Sequence, residues 1–243
     1  AGALAGAILA RAFAVLTLTL MSNQVATGLA LTIFGIGLSA LIGAPFVGVP
    51  VASLPKLHVP GLSDLPVIGP LLFGQDALVY LSFALTLGVW WFLKATRAGM
   101  VLRAVGESDE SAHALGYPVI GVRYLATLFG GLTSGLAGAY LSLVYTPQWV
   151  EEMTAGRGWI ALALVVFGAW RPWRVLIGAY LFGGVTILQL HAQTTGVVPV
   201  PAQVMSMLPY LATILVLVAI SAGSWRARLQ APACLGKAFR PAT

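Results

Sequence analysis

Charge is scarce in this chain of 243 residues: Asp, Glu, Lys and Arg together make up 8% of it, against about a quarter of a typical soluble domain. So few charges cannot cover a globule of this size in water, which excludes a soluble enzyme. Cysteine is scarcer still. Cys234 stands alone, so neither an intrachain disulfide nor a multi-cysteine metal site can form. Acidic residues number 7 against 13 basic ones, and no Asp or Glu lies inside an apolar run, which removes the usual carboxylate relay of an ion-coupled transporter. The patterns GxxxxGKS/T, HExxH, CxxC and GxSxG are all missing, so no P-loop, zinc-hydrolase, thiol-redox or nucleophile-elbow chemistry is encoded. His58, His113 and His191 are far apart in sequence. No catalytic and no metal-binding residue is assigned.

What the chain has is apolar length. Hydrophobic residues make up 59% and mean hydropathy is +0.93. A helix needs about 20 apolar residues to cross a hydrocarbon core of roughly 30 Å, and about seven segments qualify or come close. They are Ala1–Met21 with Arg11 inside it, Val25–Ala44, Ala77–Leu93, Tyr124–Tyr145, Trp159–Trp170, Val175–Leu190 and Val204–Ala222. The fold expected is all-α: a polytopic helical membrane protein, with residues 1–222 as the membrane domain, a polar loop at 94–123 and a basic tail at 223–243. Arg11 is read as snorkelling to the membrane edge. The chain begins at Ala1 without Met, and is read as a piece of a longer protein rather than as one with a signal peptide.

Positive charge orients the spans. Alternate crossings put Lys94, Arg97, Arg103, Arg123, Arg171, Arg174, Arg226, Arg228, Lys237 and Arg240 on one side, and Lys56 and Arg157 on the other. Ten against two makes the first side cytoplasmic, the C-terminus included. The basic excess is therefore a topology signal, and no nucleic-acid partner is expected. Small residues recur at helical spacing: Gly131 and Gly135; Gly130, Ser134 and Gly138; Gly35, Ser39 and Gly43. Ordinary helix packing within one subunit accounts for them. Two segments are abnormal. Trp159–Trp170 is too short for a full crossing, and Val175–Leu190 holds Gly178, Gly183 and Gly184. Short, Gly-interrupted segments point to a substrate path; tilted or shielded helices are the equal alternative.

The most informative polar run is Gly106–Pro118, GESDESAHALGYP. Ser108 is placed to cap a short helix, with Asp109 and Glu110 in its first turn, where the helix dipole favours negative charge. Gly116 suits the left-handed C′ position, and Pro118 prevents continuation. The result is one helix of about seven residues, whose small face (Ala112, Ala114) with Leu115 and Tyr117 could dock on another protein or simply be solvated. For a solute path the polar side chains in or beside the spans are Asn23, Gln24, Thr27, Gln189 and Gln193, which donate and accept without adding charge; hydrogen bonding between helices explains them equally. Trp149 and Trp159 read as membrane-interface anchors before they read as stacking platforms.

The runs TRAGMVLRAVGESDESAHALGYPVIGVRYLA, GGLTSGLAGAYLSL, NQVATGLALTIFGIGLSALIG, GRGWIALALVVFGAWRPWRVLIGAYLFGG and APACLGKAF together resemble the permease subunits of bacterial ABC importers of the branched-chain-amino-acid and ribose type, closest to the subgroup for nucleosides or simple sugars. The resemblance covers nearly the whole chain. It implies a permease of the cell inner membrane that is not itself an enzyme and binds no cofactor. ATP and Mg would be bound by partner ABC ATPase subunits. A second permease subunit, identical or homologous, would complete the path, and an extracytoplasmic substrate-binding lipoprotein of the basic-membrane-protein type would deliver the solute. It further implies that Glu107, Ser108, Asp109, Glu110, Ala112, Leu115, Gly116 and Tyr117 form the coupling helix that inserts into the ATPase. Uptake of another small solute such as branched-chain amino acids, or secondary transport, is the alternative function.

Overall fold

The computed structural model describes residues 1–55, 57, 74–195, 231–240 and six scattered positions between 204 and 218. The chain is an all-α polytopic membrane protein. Its helices are α1 (Gly2–Ala14, continuing as a π-turn over Val15–Thr19), α2 (Gln24–Gly43), α3 (Ala77–Ala95), α4 (Arg97–Glu107), α5 (Asp109–Ala114), α6 (Val119–Tyr140, continuing as a π-turn over Leu141–Tyr145), α7 (Arg157–Phe167) and α8 (Pro172–Thr195). Four of these stretches are long and apolar enough to cross a membrane: 2–19, 24–46, 77–95 and 119–145. The segment read as a last span, Val204–Ala222, lies mostly outside the described residues.

The membrane helices start where the sequence offers an acceptor for their free N–H groups. Asn23 Oδ1 accepts from the N–H groups of Val25 and Ala26 at 3.0 and 3.1 Å, and Asp76 Oδ1 from those of Leu78 and Val79 at 2.9 and 3.1 Å. In lipid an unsatisfied N–H costs several kcal/mol, more than the roughly 1 kcal/mol such a cap contributes in water. The same magnitude bears on the glycines of α8. A glycine lowers helix propensity by about 1 kcal/mol, less than one broken hydrogen bond in hydrocarbon, so α8 runs unbroken through Gly178, Gly183 and Gly184. α7 remains short, with 11 residues, about 17 Å of helix. The turn after it places Ala169 and Trp170 at positive φ, and Gly168 lets Val175 approach so closely that a Cβ would lie 2.8 Å from its nitrogen.

α1 and α6 form the tightest pair. They run antiparallel and meet backbone to backbone: a Cβ on Gly131 would lie 2.6 Å from the Gly6 carbonyl oxygen, and one on Gly2 2.9 Å from that of Gly135. The Thr19 and Tyr124 hydroxyls close the other end of the pair at 2.5 Å. Packing within the subunit thus uses Gly131 and Gly135, while Gly130 and Gly138 face open space. α8 lies antiparallel to α3, with Phe83 stacked on Tyr180 at 5.5 Å and Trp90 edge-on to Trp173 at 6.2 Å.

Both ends of the bundle are tied off as the alternation of crossings requires. At one end Val51 donates to the Pro147 carbonyl at 2.9 Å, and Trp149 lies over Gly43. At the other end sit α4, α5 and the segment 231–240. Burial is concentrated there. Val105, Ala112, Val119 and Phe239 form a cluster at 8% exposure or less, with Val101, Ile120 and Val122 against it. Spans facing lipid have no water to escape; a loop outside the membrane does, and this loop builds a small core of its own.

Candidate functional site

Thr96 sets the site's geometry. It is the single extended residue between α3 and α4 (φ −104°, ψ 149°), and its hydroxyl caps α4 through the Gly99 N–H at 3.0 Å while donating to the Phe92 carbonyl at 2.7 Å. α4 turns Val101 and Val105 toward one core and sets Gly99, on its other side, against Phe92 and Leu93 of α3, a helix that the sequence reading missed by treating 94–123 as loop with one short helix. Spacing of Val101 and Val105 four residues apart, behind a Thr cap, was the available signal.

A second single extended residue, Ser108 (φ −148°, ψ 100°), separates α4 from α5. Its Oγ accepts from the Ser111 N–H at 3.3 Å and donates to Ser111 Oγ at 2.7 Å. Asp109 accepts from Arg123 Nη2 at 2.8 Å, both side chains about 15% exposed, so the charge-assisted bond is partly shielded from water. At the far end the chain closes a Schellman turn: Tyr117 N–H donates to the Ala112 carbonyl at 3.1 Å and Gly116 N–H to that of His113 at 2.8 Å. Gly116 holds φ +84°, a conformation disfavoured in any residue with a Cβ.

The structure therefore brings Glu107, Ser108, Asp109, Glu110, Ala112, Leu115, Gly116 and Tyr117 into one short helix with its two ends. It corrects the placement of one of them. Ala112 is 2% exposed and packs on Val105, Val119 and Phe239, because the six-residue helix rests one side on the core and turns this small residue inward. The outward face is Glu110, Ala114, Leu115 and Tyr117, with Leu115 76% exposed. Beside it lies a shallow, mostly apolar groove of about 270 Å³ bounded by His113, Tyr117, Ile120 and Phe239.

The residues proposed for a solute path do not gather at one place. Asn23 spends its side-chain oxygen on the α2 cap, Thr27 pairs with Ser22 Oγ at 2.8 Å, and Gln24 lies between them as the first residue of α2. All three lie at the end of the bundle that holds α5. Gln189 and Gln193 lie near the C-terminal end of α8, which the antiparallel run of α8 against α3 places at the opposite end. Trp149 is packed over Gly43, whereas Trp159 is 70% exposed at the start of α7.

A family model described as the permease component of the branched-chain amino acid transport system matches residues 1–219. The chain belongs to this permease family. It is 39% identical over 259 aligned residues to a putative glucose ABC transporter permease of Haloferax volcanii, covering 98% of this chain and 79% of that protein. To a nucleoside ABC transporter permease of Lactococcus lactis it is 32% identical, over 89% of this chain and 70% of the relative. A guanosine ABC transporter permease of Bacillus subtilis is 30% identical over 88% of the chain and 69% of its own length. No solved structure is significantly similar to the permease.

Proposed function

We propose that this permease forms the path for uptake of a nucleoside or simple-sugar-like solute, energised by a separate ATPase that docks on α5. The observation that carries the docking is the build of α5 itself. A six-residue helix is too short to persist alone in water, yet this one is capped at both ends, ion-paired and seated on a core, with Leu115 left facing out. Relatives named for glucose, a nucleoside and guanosine support the solute class. ATP and Mg belong to the partner ATPase in this reading, a solute-binding lipoprotein feeds the outer end, and a second permease subunit faces this one across the path.

Purified from cells that express its neighbouring ATPase, the permease is expected to bring that ATPase down, and in vesicles to take up labelled glucose or guanosine only when ATP is supplied. Uptake of neither solute, or none that depends on ATP, sinks the reading.

In the same reading the end that holds α5 faces the cytoplasm, the segment 231–240 with it. A membrane-impermeant maleimide is then expected to reach Cys234 in inside-out vesicles and not in intact cells. Labelling from the outside of intact cells reverses the orientation.

A further inference from the structure

We propose that the C-terminal segment Pro232–Phe239 is a strap that splints the coupling helix α5 to the base of α6, with Arg123 and Phe239 as its positioning residues. This inference rests on the docking reading of α5.

A lever must not bend at its root. α5 is joined to α4 by the single extended residue Ser108, which by itself is a swivel. The strap crosses that swivel. On the α4 side Cys234 N–H donates to the Gly106 carbonyl at 2.9 Å, Cys234 Sγ lies 3.4 Å from the Glu107 carbonyl, and Pro232 packs at Gly106. On the other side the Phe239 ring, 8% exposed, enters the cluster of Val105, Ala112 and Val119, with His113 of α5 edge-on at 5.4 Å.

Arg123 fastens all three parts. From the first turns of α6 its Nη2 donates to Asp109 of α5 and its Nη1 to the Lys237 carbonyl of the strap at 2.9 Å, while the guanidinium lies over the Phe239 ring at 5.9 Å. One planar fork thus reads a carboxylate and a backbone carbonyl more than a hundred residues further along the chain, a role the geometry of lysine does not fill. The strap residues 237–240 form no helix of their own, so these contacts are what order them. Truncating the ring removes the plug from the cluster and lets the strap open locally.

The test compares the parent with Phe239→Ala and Phe239→Leu, each purified as the complex with its ATPase. Two quantities are read: the rate at which a maleimide labels Cys234, the single cysteine of this chain, and labelled glucose or guanosine taken up per ATP hydrolysed in vesicles. Phe239→Ala is expected to raise the labelling rate by about tenfold and lower uptake per ATP by about fivefold, with Phe239→Leu between it and the parent on both. Should the alanine variant not accumulate, the leucine variant reads the same two quantities. Unchanged labelling overturns the strap. Faster labelling with unchanged uptake per ATP overturns its positioning role and leaves the docking reading standing. A parent complex with no ATP-driven uptake overturns the docking reading, and with it the lever.

Discussion

Gly131→Leu is expected to pull α1 away from α6 and to cost about 3 kcal/mol, the upper end of what overpacking costs a close-packed interior. The reason is the identity of what a side chain meets there. The added carbon runs into Ala10 and into the backbone of Gly6, and backbone cannot rotate aside as a long side chain would. In lipid the penalty has no hydrophobic term to offset it, because close approach of small residues is itself what holds such a pair. For a chain of this length the thermal midpoint of the solubilised protein should fall by about 10 °C. Gly130→Ala and Gly138→Ala, one residue before and seven after on the same helix, place a methyl in open space and are expected to leave the midpoint unchanged or raise it slightly, since alanine is the better helix former. A similar loss for all three variants means that the α1–α6 contact is not where the structure places it.

The second large effect separates folding from docking on a single short helix. Ala112→Asp puts a carboxylate among Val105, Val119 and Phe239, where an unpaired charge costs about 3 kcal/mol or more. Leu115→Asp puts the same group where the present side chain is 76% exposed, and relieves water of an apolar surface. Limited proteolysis of the 94–123 loop in vesicles should therefore accelerate strongly for Ala112→Asp and hardly at all for Leu115→Asp. ATPase retained on purification should be lost in both, for different reasons. If Leu115→Asp keeps its ATPase at the parent level, that face is not the docking surface.

Where the sequence was legible, one physical rule acted alone. Asp76, directly before the apolar run that starts at Ala77, caps its helix as an Asp in that place should. The apolar run read as Ala77–Leu93 is a helix to Ala95, and the run read as Val25–Ala44 is one from Gln24 to Gly43. Ser108, Gly116 and Pro118 bracket α5 as their chemistry requires. Where the reading missed, two rules competed or the deciding contact was distant. The glycines of α8 left two readings equal, and the continuous helix follows once they are set against the cost of a broken hydrogen bond in lipid. Ala112 looked like a docking residue because nothing nearby in sequence says that Phe239, more than a hundred residues on, covers it. The start of α6 was placed at Tyr124 by hydropathy, yet the helix begins at Val119, since Arg123 is held by Asp109 and the strap rather than being free to end a span.

The π-turn at the end of α1 is a correction of frame. Gly2, Gly6, Ala10 and Ala14 step by four, and the first three border the α1–α6 crossing, while Ala14 is fully buried. A further step of four would present Leu18. The wide turn, in which the Leu20 N–H reaches the Val15 carbonyl, hands the contact to Thr19 instead, and so to the Tyr124 hydroxyl. It works as a spacer one residue thick. A residue gained or lost between 15 and 19 would leave the glycine crossing intact and re-aim everything after it, the Asn23 cap of α2 included.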